Sequence, residues 1–536
     1  MKRFGMLSLV GVSLVLFFLA RTTPSAGTPS LCWLLDSPWR EVLSSSGESA
    51  LITICATQPS SAPTYKTAAI AQNAQSWENI RVNDPSTDIP EQTTQSETTI
   101  ALYRDTVLVA FVDTGQYLPV TVGVSSLSGY ARSEDGGQTF TDLGRVPPSP
   151  RSLGYSDPSL GVDSQGNFYF ANIQFVPAQR STLSFLGVAK STDDGRTFAE
   201  PVLVGGTGPA DVHFQDKELI AVDDTGGPFD GNVYMAWTEF TPDGPQVLFV
   251  RSTDGGKTFS APIALSDESS VQGATPAVGP DGEVYVIWLA LGPERSLKLR
   301  RSDDGGITFG PAVTVAQLAR TFDPQATTAC RRQALRGGIR TLELPSVAVD
   351  RSPTSFFRGA IYIAYQSDPD GPGPDMSDVF LVSSFDGGKT FSDPVRVNDD
   401  TTQTDQFMPA VAVAADGTVG VFFYDRRLDP DNLKIDVYFA RSRDGGRSFE
   451  PNLRVTDVSF DVPPTFGQPT SSQNFDALRG ICYMGDYNQM AADARFFYLA
   501  WGDNRTILKT EKYPDGRPDP DVFFARIPVQ PGLNPE

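Results

Sequence analysis

Three short polar segments of this sequence carry side chains that could do chemistry. Gly485-Asp486-Tyr487 places a tyrosine beside a carboxylate, and Tyr424-Asp425-Arg426-Arg427 and Trp501-Gly502-Asp503-Asn504-Arg505 each contain Asp-x-Arg. A tyrosine hydroxyl can act as a nucleophile when a base takes its proton, and guanidinium groups bind carboxylates. The plainer alternative is that each Asp-x-Arg forms an ion pair at the rim of the molecule.

A long insertion concentrates basic residues in an acidic protein. The chain has 43 Lys and Arg against 64 Asp and Glu, a net charge of −21, yet the segment around Cys330 contains five arginines: Arg320, Arg331, Arg332, Arg336 and Arg340. We expect a lid that binds an anionic ligand, or alternatively arginines that neutralise nearby carboxylates. The overall negative charge argues against nucleic acid and anionic membranes as partners.

Six copies of the octapeptide Ser-x-Asp-x-Gly-x-Thr/Ser-Phe divide the chain at intervals. In each copy the Asp carboxylate can accept hydrogen bonds from the turn, the Gly permits positive φ, and the Phe can pack between sheets. The pattern indicates a β-hairpin connection that holds the scaffold together. The six carboxylates are Asp135, Asp193, Asp254, Asp304, Asp386 and Asp444.

The segments between the octapeptides predict seven pairs of inner strands. The series begins with Thr98–Leu102 and Val107–Val112 and ends with Tyr487–Ala492 and Phe496–Trp501. Alternating apolar residues and β-branched or aromatic side chains favour strands throughout. The last unit lacks an outer strand, and Ile80–Asp84 matches the strands that follow the fifth and sixth octapeptides. We therefore expect the N-terminal strand to complete the last blade of a seven-bladed ring, with six blades as the alternative.

The octapeptides resemble the Asp-box, or BNR, repeat of the sialidase-like β-propellers, and the resemblance covers the chain from about Trp77 to Pro528. It implies an all-β, single-propeller fold in which the boxes join the two outer strands of a blade, on the face opposite the substrate pocket. Sialidases use a Tyr nucleophile, a Glu base, an Asp acid/base and three arginines on the substrate carboxylate. The resemblance implies these roles for Tyr487, Glu343 and Asp157, although the order of the sialidase motifs is not reproduced.

Repetition within the chain separates scaffold from candidate site residues. Polar residues that break the repeat at the ends of inner strands are candidates, and they include Asp216, Glu218, Glu239 and Asp486. The candidate substrate-binding residues are Arg331, Asp425, Arg426, Arg427, Asp503 and Arg505. By resemblance, Arg427, Arg505 and one arginine of the lid would form the carboxylate clamp.

The ends of the chain and its cysteines predict an exported protein. Residues 1–26 have the pattern of a secretory signal, residues 27–76 form an extension, residues 77–528 form the propeller and residues 529–536 a tail. Within the extension, Ser37 and Pro38 predict a short helix toward Leu43. No later segment is apolar enough for a membrane span, so we expect an extracellular or periplasmic location.

Four cysteines allow three disulfide pairings. We favour Cys32 with Cys55, and Cys330 with Cys482, because the two insertions that contain Cys330 and precede Cys482 should rise on the same face. Zinc is disfavoured, because no Cys-x-x-Cys occurs and His213 is the only histidine.

The sequence thus predicts a secreted glycoside hydrolase of the exo-α-sialidase type, acting on an anionic glycan or glycoconjugate. The alternative is a noncatalytic propeller that binds glycans or proteins. The supply of Tyr, Asp, Glu and Arg favours an enzyme, whereas the missing N-terminal arginine motif favours binding. We expect no cofactor, although the acidic loop from Asp368 to Asp378 could hold Ca²⁺, with a solvated loop as the alternative.

Overall fold

The protein is a ring of seven antiparallel β-sheets. The computed structural model describes residues 30–55, 77–88, 92–115, 126–148, 152–155, 157–178, 181–371, 373, 375–461, 482–509, 511 and 514–530. In six of the sheets the strands pair in sequence order from the centre outward, and in the seventh the first strand of the chain is the outermost, which gives seven blades rather than six. The all-β propeller expected from the repeats is confirmed.

Among the described residues, helical segments lie in the N-terminal extension, at the start of the propeller and in one insertion. The extension has 3-10 turns at Ser30–Asp36 and Pro38–Val42, followed by α1 (Ser45–Cys55), and a third 3-10 turn spans Pro85–Thr87. The Ser37 side chain caps the second turn as predicted, accepting a hydrogen bond from the Trp39 N–H. No helix in the described ranges is long and apolar enough to cross a membrane.

The strand bounds define the blades, which are numbered along the chain. The chain enters with β1 (Ile80–Arg81). Blade 1 contains β2 (Gln95–Tyr103), β3 (Thr106–Asp113), β4 (Ser128–Ser133) and β5 (Thr141–Arg145). Blade 2 contains β6 (Leu153–Gly154), β7 (Ser159–Val162), β8 (Phe168–Pro177), β9 (Thr182–Ser191) and β10 (Val202–Val204). Blade 3 contains β11 (Phe214–Val222), β12 (Val233–Thr241), β13 (Gly244–Ser252) and β14 (Ile263–Ala264).

The remaining blades follow the same plan. Blade 4 contains β15 (Val271–Val278), β16 (Val284–Ala290), β17 (Ser296–Ser302) and β18 (Val313–Gln317). The insertion then forms α2 (Pro324–Cys330), β19 (Ala334–Leu335) and β20 (Ile339–Arg340). Blade 5 contains β21 (Ser346–Val349), β22 (Ile361–Ser367), β23 (Asp378–Ser384) and β24 (Val395–Arg396). Blade 6 contains β25 (Gln406–Val413), β26 (Val419–Asp425), β27 (Asp436–Ser442) and β28 (Leu453–Arg454). Blade 7 contains β29 (Gln489–Ala492), β30 (Phe496–Leu508) and β31 (Arg517–Pro528), with β1 as its outer strand.

The N-terminal strand closes the ring, as predicted. In β1, Ile80 pairs with Phe524 and Arg81 with Phe523 of β31. The Val82 N–H extends the ladder by donating to the Val522 carbonyl (2.8 Å). Closure pairs an edge of the last sheet that would otherwise be open to other chains.

The six octapeptides connect the third and fourth strands of blades 1 to 6. In the first copy, Asp135 Oδ1 accepts hydrogen bonds from the Gln138 and Thr139 N–H groups (2.8 and 2.9 Å). Gly137 has a φ of +82°, a conformation that suits glycine. The closing Phe140 ring packs edge-on against Phe524 of the neighbouring blade (4.9 Å between centroids), so the turns link blades as well as strands.

Two disulfides join the cysteine pairs that the sequence favours. Cys32–Cys55 closes the N-terminal extension on itself, and Cys330–Cys482 ties the insertion between blades 4 and 5 to the segment that enters blade 7. The predicted secretory signal lies outside the described residues, as does most of the insertion before Cys482. The remaining predicted domain boundaries stay predictions.

Candidate active site

The innermost strands carry an irregularity where they enter the channel at the face opposite the octapeptide turns, which we call the top face. In blades 1, 3 and 6 the pairing of inner and second strands shifts register at this point. The residues at the shift, Glu97, Lys217 and Met408, have φ values of 54°, 53° and 49°. These β-bulges re-aim one side chain in each blade.

The other blades place equivalent residues at the same level. Asp157 lies in the break between β6 and β7 with a φ of 59°, and Gly273 lies at the register shift of blade 4 with a φ of 72°. Leu344 and Tyr487 take the corresponding sequence positions in blades 5 and 7. We call these seven residues the mouth ring: Glu97, Asp157, Lys217, Gly273, Leu344, Met408 and Tyr487.

Tyr487 faces the centre of the mouth ring. Its hydroxyl donates to the Pro158 carbonyl (2.9 Å), and Lys217 Nζ lies 3.6 Å from the centroid of its ring. Burial, with the nearby charges of Glu97 and Asp157, raises its pKa well above the usual value. Tyr487 and Lys217 also line a cavity of about 200 Å³ just inside the channel.

Two buried carboxyl groups accompany the tyrosine. Asp157 and Glu218 are fully buried, and neither carboxyl group has a hydrogen-bond partner among the described residues. Lys217, 2% exposed, has an ammonium group that likewise lacks one within the described ranges. Unpaired polar groups at this depth are costly, which is typical of a site that awaits a ligand.

The electrostatics of these groups favour a neutral carboxyl group at the mouth ring. Burial and the charge of Asp157 raise the pKa of Glu218, and the same two causes raise that of Glu97 well above the usual value. A carboxyl group that stays protonated near neutral pH can donate a proton to a leaving group.

The arginine-rich insertion reaches the top face beside the mouth ring, where two of its arginines pair with carboxylates of the protein, as the alternative interpretation predicts. Arg332 and Arg340 are buried and both donate to the Leu43 carbonyl, while Arg332 also binds Glu48 and Arg340 binds Asp486. Arg331, a predicted substrate-binding residue, lies exposed at the C-terminus of α2, with a left-handed φ of 55°.

Glu343 lies apart from the tyrosine for which it was predicted as the base. Its Oε1 accepts hydrogen bonds from the Thr321 N–H and from Gln333 Nε2 (both 2.6 Å), and its Oε2 pairs with Arg295. Because Leu344 occupies the ring position of blade 5, the preceding residue turns toward the lid. The described residues show no contact between Glu343 and Tyr487.

The other predicted arginines form ion pairs at the rim. Arg427 binds Asp425 (2.8 Å) and Asp399 (2.6 Å) in blade 6, and Arg505 binds Asp503 (2.7 Å) in the same way in blade 7. These are the pairs that the plainer interpretation of Asp-x-Arg predicts. Neither arginine contacts the mouth ring within the part of the chain that the structure describes.

Arg426 is fully buried and pairs with Asp405 (3.2 Å), away from the ring residues. The predicted site residues therefore fall into two groups. Asp157 and Tyr487 lie at the mouth ring, together with the candidates Asp216, Glu218 and Asp486 beside it. Glu343 and the predicted clamp residues lie elsewhere.

Sequence reasoning missed Glu97 and Lys217. Both precede strand-like residues and look like the polar starts of β2 and β11. Their signal is positional, because each stands two residues before the Thr99 or Leu219 at which regular pairing resumes, as Asp157 stands two residues before Ser159.

In the described part of the acidic loop, two of the carboxylates bind other protein groups. Asp378 binds Arg396 and Asn398, and the Asp375 carboxylate accepts a hydrogen bond from the Ser377 N–H. Among the residues that the structure describes, no three His, Cys, Asp or Glu side chains are placed to hold one ion. The calcium site therefore stays a sequence-based prediction.

Comparisons with known proteins give structural similarity at low sequence identity. No protein-family model matches the sequence, and no curated protein matches it. The phage phi92 endosialidase has 11% identity and a TM-score of 0.43, with 86% of this chain and 70% of that chain covered. A Hadza microbial sialidase has 14% identity and a TM-score of 0.40, with 79% and 73% covered. An α-L-arabinofuranosidase of Fusarium graminearum has 12% identity and a TM-score of 0.44, with 68% and 97% covered. By its own sheet topology, the chain is a seven-bladed β-propeller.

Proposed function

We propose that this chain is a glycoside hydrolase that acts on an anionic glycan at the mouth ring. One observation carries the proposal: Asp157, Lys217 and Glu218 meet Tyr487 in a buried cluster, and the first three lack hydrogen-bond partners among the described residues. Cleavage of a glycosidic bond requires two carboxyl groups placed on either side of that bond, one of them able to donate a proton.

The proposed chemistry assigns one step to each group. Tyr487 Oη attacks the anomeric carbon and passes its proton to Asp157, while Glu218 gives its proton to the departing glycosidic oxygen. Water then attacks the anomeric carbon and gives a proton to Glu218, while the bond between Tyr487 and the sugar breaks and Asp157 returns its proton to Tyr487 Oη. Asp157 precedes Pro158, whose carbonyl already holds the Tyr487 hydroxyl (2.9 Å), so the hydroxyl lies close to the proposed base.

We propose an anionic substrate because the lid places two arginine side chains beside the mouth ring. Arg332 and Arg340 are buried there and hold oxygen atoms of the N-terminal extension. Guanidinium groups that bind a carboxylate in this setting would bind the carboxylate of an acidic sugar equally well. This lid, rather than the rim pairs of Arg427 and Arg505, supplies the substrate-binding arginines.

Hydrolysis of a panel of aryl glycosides, including a sialoside, a glucuronide and an α-L-arabinofuranoside, tests the proposal. Because residues 30–55 cover the mouth ring, the assay uses the intact chain and a chain cut at a protease site inserted between Ser60 and Ser61. We expect Glu218→Gln to reduce turnover by about 10²- to 10⁴-fold, the usual contribution of a general acid.

Tyr487→Phe should abolish turnover, whereas Tyr362→Phe is the matched control. Tyr362 is fully buried in blade 5, and its hydroxyl has no hydrogen-bond partner among the described residues, so its loss should leave activity unchanged. Absence of hydrolysis by both the intact and the cut chain would refute the hydrolase. Full activity of Tyr487→Phe would refute its role as the nucleophile.

A noncatalytic glycan-binding propeller is the second candidate. It is favoured by the Tyr487 hydroxyl, which donates to a carbonyl rather than to a carboxylate. Binding of an acidic glycan by the cut chain without release of any aglycone would select this function.

Export completes the proposal. Two disulfides and an acidic composition suit an oxidising compartment outside the cytoplasm. The measurement is the mass of the mature chain recovered from the exporting cell, which should begin near residue 27.

A further inference from the structure

The N-terminal extension forms a separate, disulfide-closed unit on the top face. Residues 30–55 contain two 3-10 turns and α1, and Cys32–Cys55 joins their ends. Leu34, Leu43 and Leu51 pack against aromatic residues of blades 2 and 3, including Phe214 and Trp237. We call this unit, residues 30–55, the cap.

The cap places small polar residues directly on the carboxyl groups of the mouth. The Ser44 N–H and hydroxyl donate to the two oxygens of Asp216 (2.7 and 2.5 Å), and the Ser46 hydroxyl donates to Glu97 Oε2 (2.6 Å). Gly47 approaches so closely that a Cβ atom there would lie 2.3 Å from Asp216 Oδ1. Hydroxyl groups of the cap therefore donate hydrogen bonds to the carboxyl groups at the entrance.

The lid holds the other side of the same segment. Arg332 binds the Glu48 carboxylate, and Arg332 and Arg340 both donate to the Leu43 carbonyl. Gln272 Nε2 donates to the Val42 carbonyl (2.6 Å). In these contacts a carboxylate of the cap binds an arginine, and hydroxyl groups of the cap bind carboxyl groups of the propeller. A protein binds an acidic sugar through the same kinds of contact.

The cap does not supply hydrogen-bond partners to the polar groups in the inner part of the site. Asp157, Lys217 and Glu218 are buried beneath it and have no hydrogen-bond partner in the described part of the chain. The cavity of about 200 Å³ beside Tyr487 and Lys217 lies further along the channel, and no residue of the cap lines it. The cap thus fills the entrance but makes no hydrogen bond to the described polar groups behind it.

We propose that the cap is an autoinhibitory segment that binds the mouth in place of the substrate, with Glu48 on Arg332 standing for the substrate carboxylate and Ser44 and Ser46 for its hydroxyls. The proposal rests on the proposed function for the identity of the competing ligand. Access to Tyr487 from the top face then requires that residues 42–48 leave the mouth.

The experiment uses the full chain with the protease site between Ser60 and Ser61, cut under oxidising conditions so that both disulfides remain. The cut breaks the only covalent link between the cap and the propeller, because each disulfide lies within one of the two pieces, and it leaves β1 in the propeller. Dissociation of the two pieces on dilution, followed by size-exclusion chromatography, gives the affinity of the contact without requiring either piece to fold alone.

Two cap variants test the contacts that carry the proposal. Glu48→Gln should dissociate at a concentration at least about 30-fold higher than the parent, because it leaves a buried arginine without its carboxylate. Gly47→Ala suits a helix better than glycine, so it should weaken the contact only through its clash with Asp216. Asp36→Asn, at an exposed cap position, is the control and should match the parent.

Activity and binding of the cut chain then separate the two proposals. We expect turnover of the best substrate to rise at least tenfold when the cap leaves, and to fall again when the pieces are concentrated. Equal dissociation of Glu48→Gln and the parent, or hydrolysis that is unchanged by loss of the cap, would overturn the autoinhibitory role. Variant-sensitive dissociation with neither hydrolysis nor glycan binding would support the cap contact and refute the proposed function.

Discussion

Replacement of Asn83 tests how strongly the N-terminal strand closes the ring. Asn83 is buried, and its side chain bridges the last strands of blade 7: Oδ1 accepts from the Val522 N–H and Nδ2 donates to Asp521 Oδ1, both at 2.8 Å. Asn83→Ala leaves the buried Val522 N–H unpaired and removes one hydrogen bond from the buried Asp521 carboxyl group, which keeps Arg81 and Thr506 as partners. An unpaired buried N–H costs about 1–3 kcal/mol and the lost hydrogen bond to Asp521 about 1 kcal/mol, so we expect roughly 2–4 kcal/mol in total.

The rest of the chain supplies the matched comparisons. Asn398 makes the same two contacts in blade 5, with the Val379 N–H (3.0 Å) and Asp378 (2.7 Å). In blade 6, Thr456 does so with one hydroxyl, which accepts from the Val437 N–H (3.1 Å) and donates to Asp436 (2.7 Å). Asn83→Thr should therefore recover more than half of the free energy that Asn83→Ala loses.

Calorimetry and amide exchange measure the effect at two scales. For a cooperative unit of about 450 residues, a loss of about 3 kcal/mol lowers Tm by only about 3 °C. Amide exchange at Val522 is more sensitive, because the same loss in local opening speeds it by roughly 30- to 1000-fold. Exchange at Val379 in Asn398→Ala should increase less, since β24 is held by chain on both sides.

Two results would refute this reasoning. One is an Asn83→Ala variant whose Tm and Val522 exchange match those of the parent. The other is an Asn83→Thr variant that is as destabilised as Asn83→Ala. A single hydroxyl at position 83 would then fail to make the two hydrogen bonds that the Thr456 hydroxyl makes in blade 6.

Three further predictions concern the disulfides, the cap and the rim. Replacing the Cys330–Cys482 pair with serines should cost more than replacing Cys32–Cys55, by about 1–2 kcal/mol from the chain-entropy difference between separations of 152 and 23 residues. Thermal unfolding under oxidising conditions checks the order, which equal losses would contradict. Burial raises the pKa of Asp216 to about 7 from an unfolded value near 4. The folded state therefore binds the extra proton, so the contribution of Asp216 to stability is fully present below about pH 4 and is lost as pH rises to about 7. The free energy of unfolding of the intact chain should therefore be higher at pH 5 than at pH 8, and the difference should be smaller in Asp216→Asn; an unchanged difference in that variant would contradict the assignment. In the cut chain, Arg427→Gln should leave the KM for an anionic glycan unchanged, because Arg427 pairs with Asp425 and Asp399 at the rim. A clear rise in KM would show that Arg427 contributes to substrate binding.

The scaffold could be predicted from the sequence because its information is local and repeated. Six octapeptides mark six hairpins, and the match of Ile80–Asp84 to two later strands reveals the seventh blade. Even the short turn after Ser37 follows from a cap residue and a proline next to each other. Each of these features depends on residues that lie close together in sequence or recur along it.

The candidate site was only partly predictable, because a bulge changes which residue faces the channel. At blade 5 the ring position belongs to Leu344, so Glu343 turns away toward Thr321 and the lid. At blade 3 it belongs to Lys217, with Asp216 beside it. Periodicity of two does not reveal a one-residue shift of this kind.

The cap could not be predicted at all from periodicity. Its contacts join residues distant in sequence, such as Ser46 with Glu97 and Glu48 with Arg332, and the serines and glycine involved are ordinary loop residues. From the sequence we predicted only a short helix in the extension, and we therefore overlooked the segment that occupies the mouth.

The pairing of β1 with β31 also sets an order of events during synthesis. Ile80 is made early, but its partner Phe524 follows roughly 440 residues later, which takes about 20–90 s at the usual rate of 5–20 residues per second. During that interval the first strand of the propeller has no partner, and blades 1 to 6 can only form an open arc. The ring can close only after Phe524 has been made, so a ribosome that stalls before Phe524 would leave an arc with two unpaired edges exposed to chaperones and proteases.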